Sequence, residues 1–271
     1  MSVVASTIRT GIGGWVFPEW RGGMFYPSGL PQREELSYAA ARLGCIEINS
    51  TFYRAQKPAV YAQWRDQTPA GFRFSAKVPR SLTQGRDLAA VAARADGFIE
   101  GITTLQDRLG PLVWQFGEQH PAGPQEFNRL LEGLPREANG RVLQHALEVR
   151  NRAAWTAELV DVARRHQVAL VYSGSSDYPR YADPTGPFIY ARLMQSRANL
   201  RAGYPQRALE QWALRAQRWA RGEDNPDLPH LAHEAPPHAA RDVYLLFIGA
   251  AKHRNPGAAI ALRDHVRAIA R

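Results

Sequence analysis

Apolar positions along the chain follow two rhythms. Short runs alternate with a period of two. Ile46 and Ile48 alternate with Cys45, Glu47 and Asn49; Phe72, Phe74 and Ala76 with Arg73, Ser75 and Lys77; Leu112, Trp114 and Phe116 with Val113 and Gln115. Leu147 and Val149 alternate with Ala146, Glu148 and Arg150, and Ile189, Ala191 and Leu193 with Tyr190 and Arg192. A period of two belongs to a strand, whose successive side chains point to opposite faces. The pattern predicts strands over 8–12, 45–49, 72–77, 112–116, 143–149, 168–172, 188–193 and 242–248. Longer stretches with helical spacing predict helices over 32–43, 59–67, 87–108, 124–134, 154–166, 207–221 and 256–270. Pro124 and Pro256 sit at helix starts, where a first-turn N–H needs no partner.

Eight β–α units in roughly 250 residues is the arithmetic of a (β/α)8 TIM barrel, here a single α/β domain. A doubly wound open sheet is the competitor, but no G-x-G-x-x-G fingerprint opens a helix. The stretch 178–187 is short and Pro-rich, so the helix between strands six and seven is expected to be rudimentary or missing. In such a barrel the apolar set of each strand faces the helices and the other set faces the axis. The axial set turns polar towards the strands' C-terminal ends, where barrels build their sites. Buried charges cost several kcal/mol each unless they pair or stay wet. A polar mouth is therefore expected to be a site.

The loops that follow the strands carry the densest chemistry. Residues 13–27 crowd Trp15, Trp20, Phe25, Tyr26 and Pro27 among four glycines; the aromatics can wall a pocket or form a satellite core. Glu47, Asn49, Ser50, Thr51, Tyr53 and Arg54 cluster after strand two, and Lys77, Arg80, Ser81 and Thr83 after strand three. Glu47 and Glu148 are strand-end carboxylates on the axial face and can act as an acid–base pair. They can equally serve as ion-pair partners, Glu148 with Arg150 or Arg192 and Glu47 with Lys77. Lys77, Arg80, Arg150 and Arg192 around one mouth suit a phosphate or carboxylate. Lys252 before the last helix suits an anion too. Cys45 reads as a small core residue. His230, His233 and His238 form the one histidine cluster, but they precede the last strand and read as a polar loop, so no metal and no cofactor is expected.

These residues in this order resemble the YecE-like family, the TIM-barrel domain of unknown function numbered 72. The marks are Gly13-Gly14-Trp15 with Trp20 and Phe25-Tyr26-Pro27, then Glu47-Ile48-Asn49-Ser50-Thr51-Phe52-Tyr53. Lys77-Val78-Pro79-Arg80, Gln115, Glu148 and Arg150 with Trp155, and Tyr190-Ala191-Arg192-Leu193 complete the set. The resemblance spans nearly the whole chain and implies a TIM barrel without implying a reaction. Three positions depart from the usual pattern: Met194 and Gln84 stand where many members carry His, and Gly249 lies where many carry paired Asn.

Composition adjusts this picture in two ways. No run of about 18 apolar residues occurs, so no membrane span is expected. Met1 to Thr10 lacks signal-peptide features and Cys45 is the one cysteine, which together suggest a cytoplasmic protein. The formal charge is +9, and all but Lys57, Lys77 and Lys252 of the 34 cations are arginine. The leading expectation is a metal-independent enzyme acting on a small anionic substrate, a phosphorylated sugar or a nucleotide. In it Glu47, Glu148 and Lys77 carry the chemistry. Trp15, Tyr26, Asn49, Thr51, Tyr53, Arg80, Gln115, Arg150, Arg192 and Lys252 bind. The alternatives are a nucleic-acid-binding protein with a basic groove and a barrel that binds a partner without catalysis.

Overall fold

A computed structural model describes residues 6–232, 234 and 238–269. Nine parallel strands form one sheet: β1 (Ile8–Gly13), β2 (Cys45–Ile48), β3 (Arg73–Lys77), β4 (Leu109–Phe116), β5 (His145–Val149), β6 (Ala169–Leu170), β7 (Tyr172–Gly174), β8 (Phe188–Leu193) and β9 (Asp242–Phe247). Their order is β6-β5-β4-β3-β2-β1-β9-β8-β7, so the first and last strands of the row are consecutive in the chain. Val171 alone separates them, and its N–H donates to the Leu147 carbonyl at 3.0 Å. The sheet is thus a nearly closed barrel. Closure matters because an open edge leaves a row of unpaired N–H and C=O groups.

Helices α1 (Glu35–Ala40), α2 (Ser50–Tyr53), α3 (Pro58–Asp66), α4 (Arg80–Thr83), α5 (Ala89–Ile102), α6 (Pro124–Gly133), α7 (Ala157–Arg165), α8 (Gln206–Ala220) and α9 (Asn255–Ile269) fill the connections. The seven expected helices are there, with their ends shifted by one to several residues. The one predicted over 87–108 stops at Ile102 and passes into a 3-10 turn, Thr103–Arg108, broken at Gln106 with φ 51°. The predicted end of α9, Ala270, lies outside the described residues. The strand expected over 168–172 is interrupted and runs on to Gly174. The strand expected over 112–116 begins three residues earlier, at Leu109, and its register against β3 shifts between Phe74 and Ala76, alongside Pro111. The single turns α2 and α4, read from sequence as loops, cap the C-terminal ends of β2 and β3. No helix forms over 175–187.

Period-two alternation separates the core into two layers. Ile46, Ile48, Phe74, Ala76, Leu112, Trp114, Phe116, Leu147, Ile189, Ala191, Val243 and Leu245 join the layer between sheet and helices. Cys45, Val113, Ala146, Ala169, Val171, Phe188, Tyr190, Tyr244 and Leu246 form a separate plug inside the barrel. One strand contact requires glycine: a Cβ on Gly11 would lie 2.0 Å from the backbone oxygen of Cys45. The apolar plug occupies the interior at the level of the strand middles, and charged side chains sit above it.

Candidate functional site

The axial residues at the strands' C-terminal ends assemble around Arg192, which β8 holds inside the barrel at 3% exposure. Its guanidinium donates to Glu47 Oε1 from β2 at 3.0 Å and to Glu148 Oε2 from β5. Arg150 Nε donates to Glu148 Oε1 at 2.9 Å, and Gln115 Nε2 to Glu148 Oε2 at 3.0 Å. Tyr190 donates its phenol proton to Glu47 Oε2 at 2.8 Å and pairs with Ser75 Oγ at 2.7 Å. Both carboxylates are fully buried and all four of their oxygens are engaged.

The electrostatics follow from these contacts. Burial works against the charge on Glu148, but Arg192 and Arg150 override it and hold its carboxyl below the ordinary range. Burial likewise opposes the Arg192 charge, and Glu148 and Glu47 reverse the effect and raise its pKa. Tyr190 is pushed well up by burial and by the Glu47 charge, so it stays a proton donor. Lys77 differs. Burial lowers it to about 8, against the raising influence of Glu47. Its ammonium lies 3.7 Å from the centre of the Phe52 ring, a cation–π contact, and makes no ion pair among the described residues. Glu47 therefore pairs with Arg192, and the alternative of a Glu47–Lys77 salt bridge does not form.

A cavity of about 440 Å³ opens beside this network, lined by Gln115 from β4, Arg150 just past the end of β5 and Phe52 from α2, and by Gln84, Arg86 and His120 from the loops. Arg150 also leans on Tyr178, with its carbon 4.2 Å from the ring centre and a 3.2 Å hydrogen bond to the phenol. Glu47, Glu148, Lys77, Gln115, Arg150 and Arg192 thus come together. Trp15 and Asn49 do not join them; they line a separate, mainly apolar recess of about 360 Å³ with Phe17 and Trp64. Lys252 does not join the network either; its ammonium lies 5.4 Å over the ring of Phe17, a residue of that recess. Tyr53 is 72% exposed, with Arg80 5.6 Å over its ring on the rim.

Two expected binding residues are turned inward instead. Tyr26 is fully buried in an aromatic satellite core with Trp20, Phe25 and Tyr38, and its hydroxyl donates to the Trp15 carbonyl at 2.6 Å. Thr51 is fully buried and ties β2 to β3, its hydroxyl lying 3.0 Å from the Ile48 carbonyl and 2.7 Å from that of Lys77. Sequence reasoning passed over Tyr190 and Ser75, although their parity already placed them on the axis. Arg86 and His120 reach the cavity, and Tyr178 reaches Arg150, from irregular loops, where no periodicity signals direction. Cys45 is buried in the interior plug, and burial pushes its thiol up to about 12. His230 bonds to Asp224 Oδ1 at 2.9 Å, and His233 lies outside the described residues. Among the described residues no group of three or more His, Cys, Asp or Glu is placed to hold a metal ion. No helix there is long and apolar enough to cross a membrane.

Solved structures with this fold include a DUF72 family protein from Thermotoga maritima MSB8, at 20% identity and a TM-score of 0.70 over 97% of this chain and 99% of that one. Another DUF72 family protein, from Enterococcus faecalis V583, has 15% identity and a TM-score of 0.68 over 96% of both chains. At such identities the likeness concerns the fold alone. The UPF0759 protein YecE of Escherichia coli (strain K12) is 32% identical over 149 residues, 53% of this chain and 48% of that protein, and its counterpart in Escherichia coli O157:H7 matches equally. The chain spans about half the length of these curated relatives. The sequence profile described as "Protein of unknown function DUF72" matches residues 9–269. The chain belongs to the DUF72 family.

Proposed function

We propose that the polar end of the barrel binds a small anionic substrate, a phosphorylated sugar or nucleotide, and acts on it by acid–base chemistry with Lys77 as the proton carrier. In this reading the chain is one domain, and β6 and β7 are a single interrupted strand, which makes the sheet a (β/α)8 TIM barrel. The observation that carries the reading is charge imbalance beside a cavity. Lys77, Arg150 and Arg192 face Glu47 and Glu148, so one positive charge is left over for a ligand. Arg86 adds a further cation at the wall.

The division of labour follows from hydrogen bonding. Glu47 and Glu148 have no free oxygen with which to take a substrate proton. Their task is to hold Arg192 and Arg150 rigidly, because a guanidinium fixed by carboxylates presents its remaining N–H groups in a set direction. Lys77 has an ammonium without an ion-pair partner among the described residues, and burial lowers its pKa to about 8. A group tuned close to the working pH can both accept and return a proton. Protonated, Lys77 also attracts the anion.

Calorimetric titration of the full chain with inorganic phosphate and with a sugar phosphate tests this. Affinity should fall as the pH rises through about 8, because the Lys77 ammonium is lost there. K77M should flatten that dependence. R150Q should weaken binding about tenfold, the worth of one charge-assisted hydrogen bond. Affinity that is independent of pH between about 7 and about 10, or unchanged in R150Q, overturns the reading.

A further inference from the structure

When each strand of a barrel is followed by a helix, the strand's outer face is covered. The connection from β7 to β8 lacks that cover, since no helix forms over 175–187. The segment is nonetheless well anchored. Asp183, 5% exposed, accepts from the amides of Leu231 at 3.0 Å and Ala232 at 2.9 Å. Thr185 bridges the Val168 carbonyl and the Leu170 amide, and Ala182 donates to the Pro229 carbonyl. What stays uncovered is a groove of about 460 Å³ between this segment, the start of α8 and the loop after β8.

The groove is built for negative charge. Arg180, Arg197 and Arg215 line it, and among the described lining residues Asp227 is the one carboxylate. Asp227 is taken by Arg215, at 2.9 and 2.6 Å. Arg180 and Arg197 make no ion pair and no side-chain hydrogen bond among the described residues. A second observation is independent of the surface charge. Tyr172, 6% exposed, lines the groove, and its phenol has no hydrogen-bond partner among the described residues. Its hydroxyl is therefore a free donor on the groove wall, held there by a ring that is itself packed into the fold. Burial raises the Tyr172 pKa, so it stays a donor. Pro205 precedes α8 at the groove, and no side chain caps the first-turn amides of that 15-residue helix.

We propose that this groove on the outer face of β7 is a second ligand site, separate from the barrel mouth, for a phosphate monoester. The phosphoryl oxygens accept from Arg180, Arg197 and the Tyr172 phenol, and the organic part lies against Trp212 and Leu228. Donors on several sides suit a tetrahedral dianion better than a planar carboxylate. The site owes its existence to the missing helix: a helix packed on β7 would fill the groove and cover Tyr172.

The test is calorimetric titration of the full chain with phenyl phosphate at low ionic strength. Wild type should show a site that R180Q/R197Q weakens at least about tenfold and that Y172F weakens about threefold. R150Q should leave it intact, which separates it from the barrel mouth. Arg180 and Arg197 are exposed and Y172F keeps the ring, so these variants should unfold at the wild-type temperature. A wild type that binds no phenyl phosphate, or R180Q/R197Q with unchanged affinity and stoichiometry, overturns the proposal. So does loss of all binding in R150Q alone. A single site lost in R180Q/R197Q would uphold this groove while refuting anion binding at the mouth.

Discussion

Arg192 shows how much one buried residue can organise. It bridges two carboxylates that lie 101 positions apart in the chain, Glu47 and Glu148, and its Nε has no partner among the described residues. Such a cation is tolerable only while its counter-charges stay in place. Glu148→Ala would leave Arg192 buried with one carboxylate and Arg150 with none. Breaking a buried pair from one side costs about 3–5 kcal/mol, and urea unfolding should show a loss of that size. A shift under about 1 kcal/mol would mean that the network is wetter than its burial implies. The sign with pH is definite. Glu148 has a lowered folded pKa, so its contribution is complete above the ordinary carboxylate value and is lost as pH falls through the lowered one. Parity alone placed Glu47, Glu148 and Arg192 on one face. It did not say which carboxylate meets which cation, because pairing depends on distances across the barrel that no local pattern encodes.

At the scale of elements, β4 and β5 are joined on their outer faces by a polar pair inside an apolar layer. Trp114 Nε1–H donates to His145 Nδ1 at 3.0 Å, and His145 Nε2 lies 2.9 Å from the Pro135 carbonyl. One ring nitrogen must accept and the other donate, so the arrangement needs the neutral imidazole. Burial lowers His145 to about 4 in agreement. Between about 4 and the usual 6.5 the unfolded chain takes up a proton that the folded chain refuses, so stability falls on acidification across that window. The shift corresponds to about 3 kcal/mol. Unfolding of wild type and His145→Gln from neutral pH down to about 4 should show the extra loss in wild type alone; parallel curves would refute it. His145 shares the parity of Leu147, which turns it away from the axis. Parity did not foresee that the strand at 168–172 breaks at Val171, because the break is set by which neighbour each half pairs with: Ala169–Leu170 with β5 and Tyr172–Gly174 with β8.

At the scale of the whole molecule, the charge of +9 is dispersed. Arg21 pairs with Glu35, Arg65 with Asp66, Arg108 with Asp107, Arg221 with Glu223 and Arg263 with Asp264. A basic protein of this kind attracts polyanions through counterion release, without a dedicated interface. A single-stranded oligonucleotide bound at about 50 mM salt should therefore be released by about 200 mM, as a mobility-shift assay would show. Retention at the higher salt would reveal a nucleic-acid groove and favour the alternative function. The order of strands and helices, the face each strand turns to the axis and the placing of charge at the C-terminal ends were all determined by the sequence itself, because they rest on periodicity and chain direction. Closure of the sheet decided the rest. It brought Arg192 between two carboxylates, left Lys77 without an ion pair among the described residues, sent Tyr26 and Thr51 into the interior and opened a groove over β7. Those outcomes depend on which side chains meet across space and how much water remains between them, and both are properties of packing.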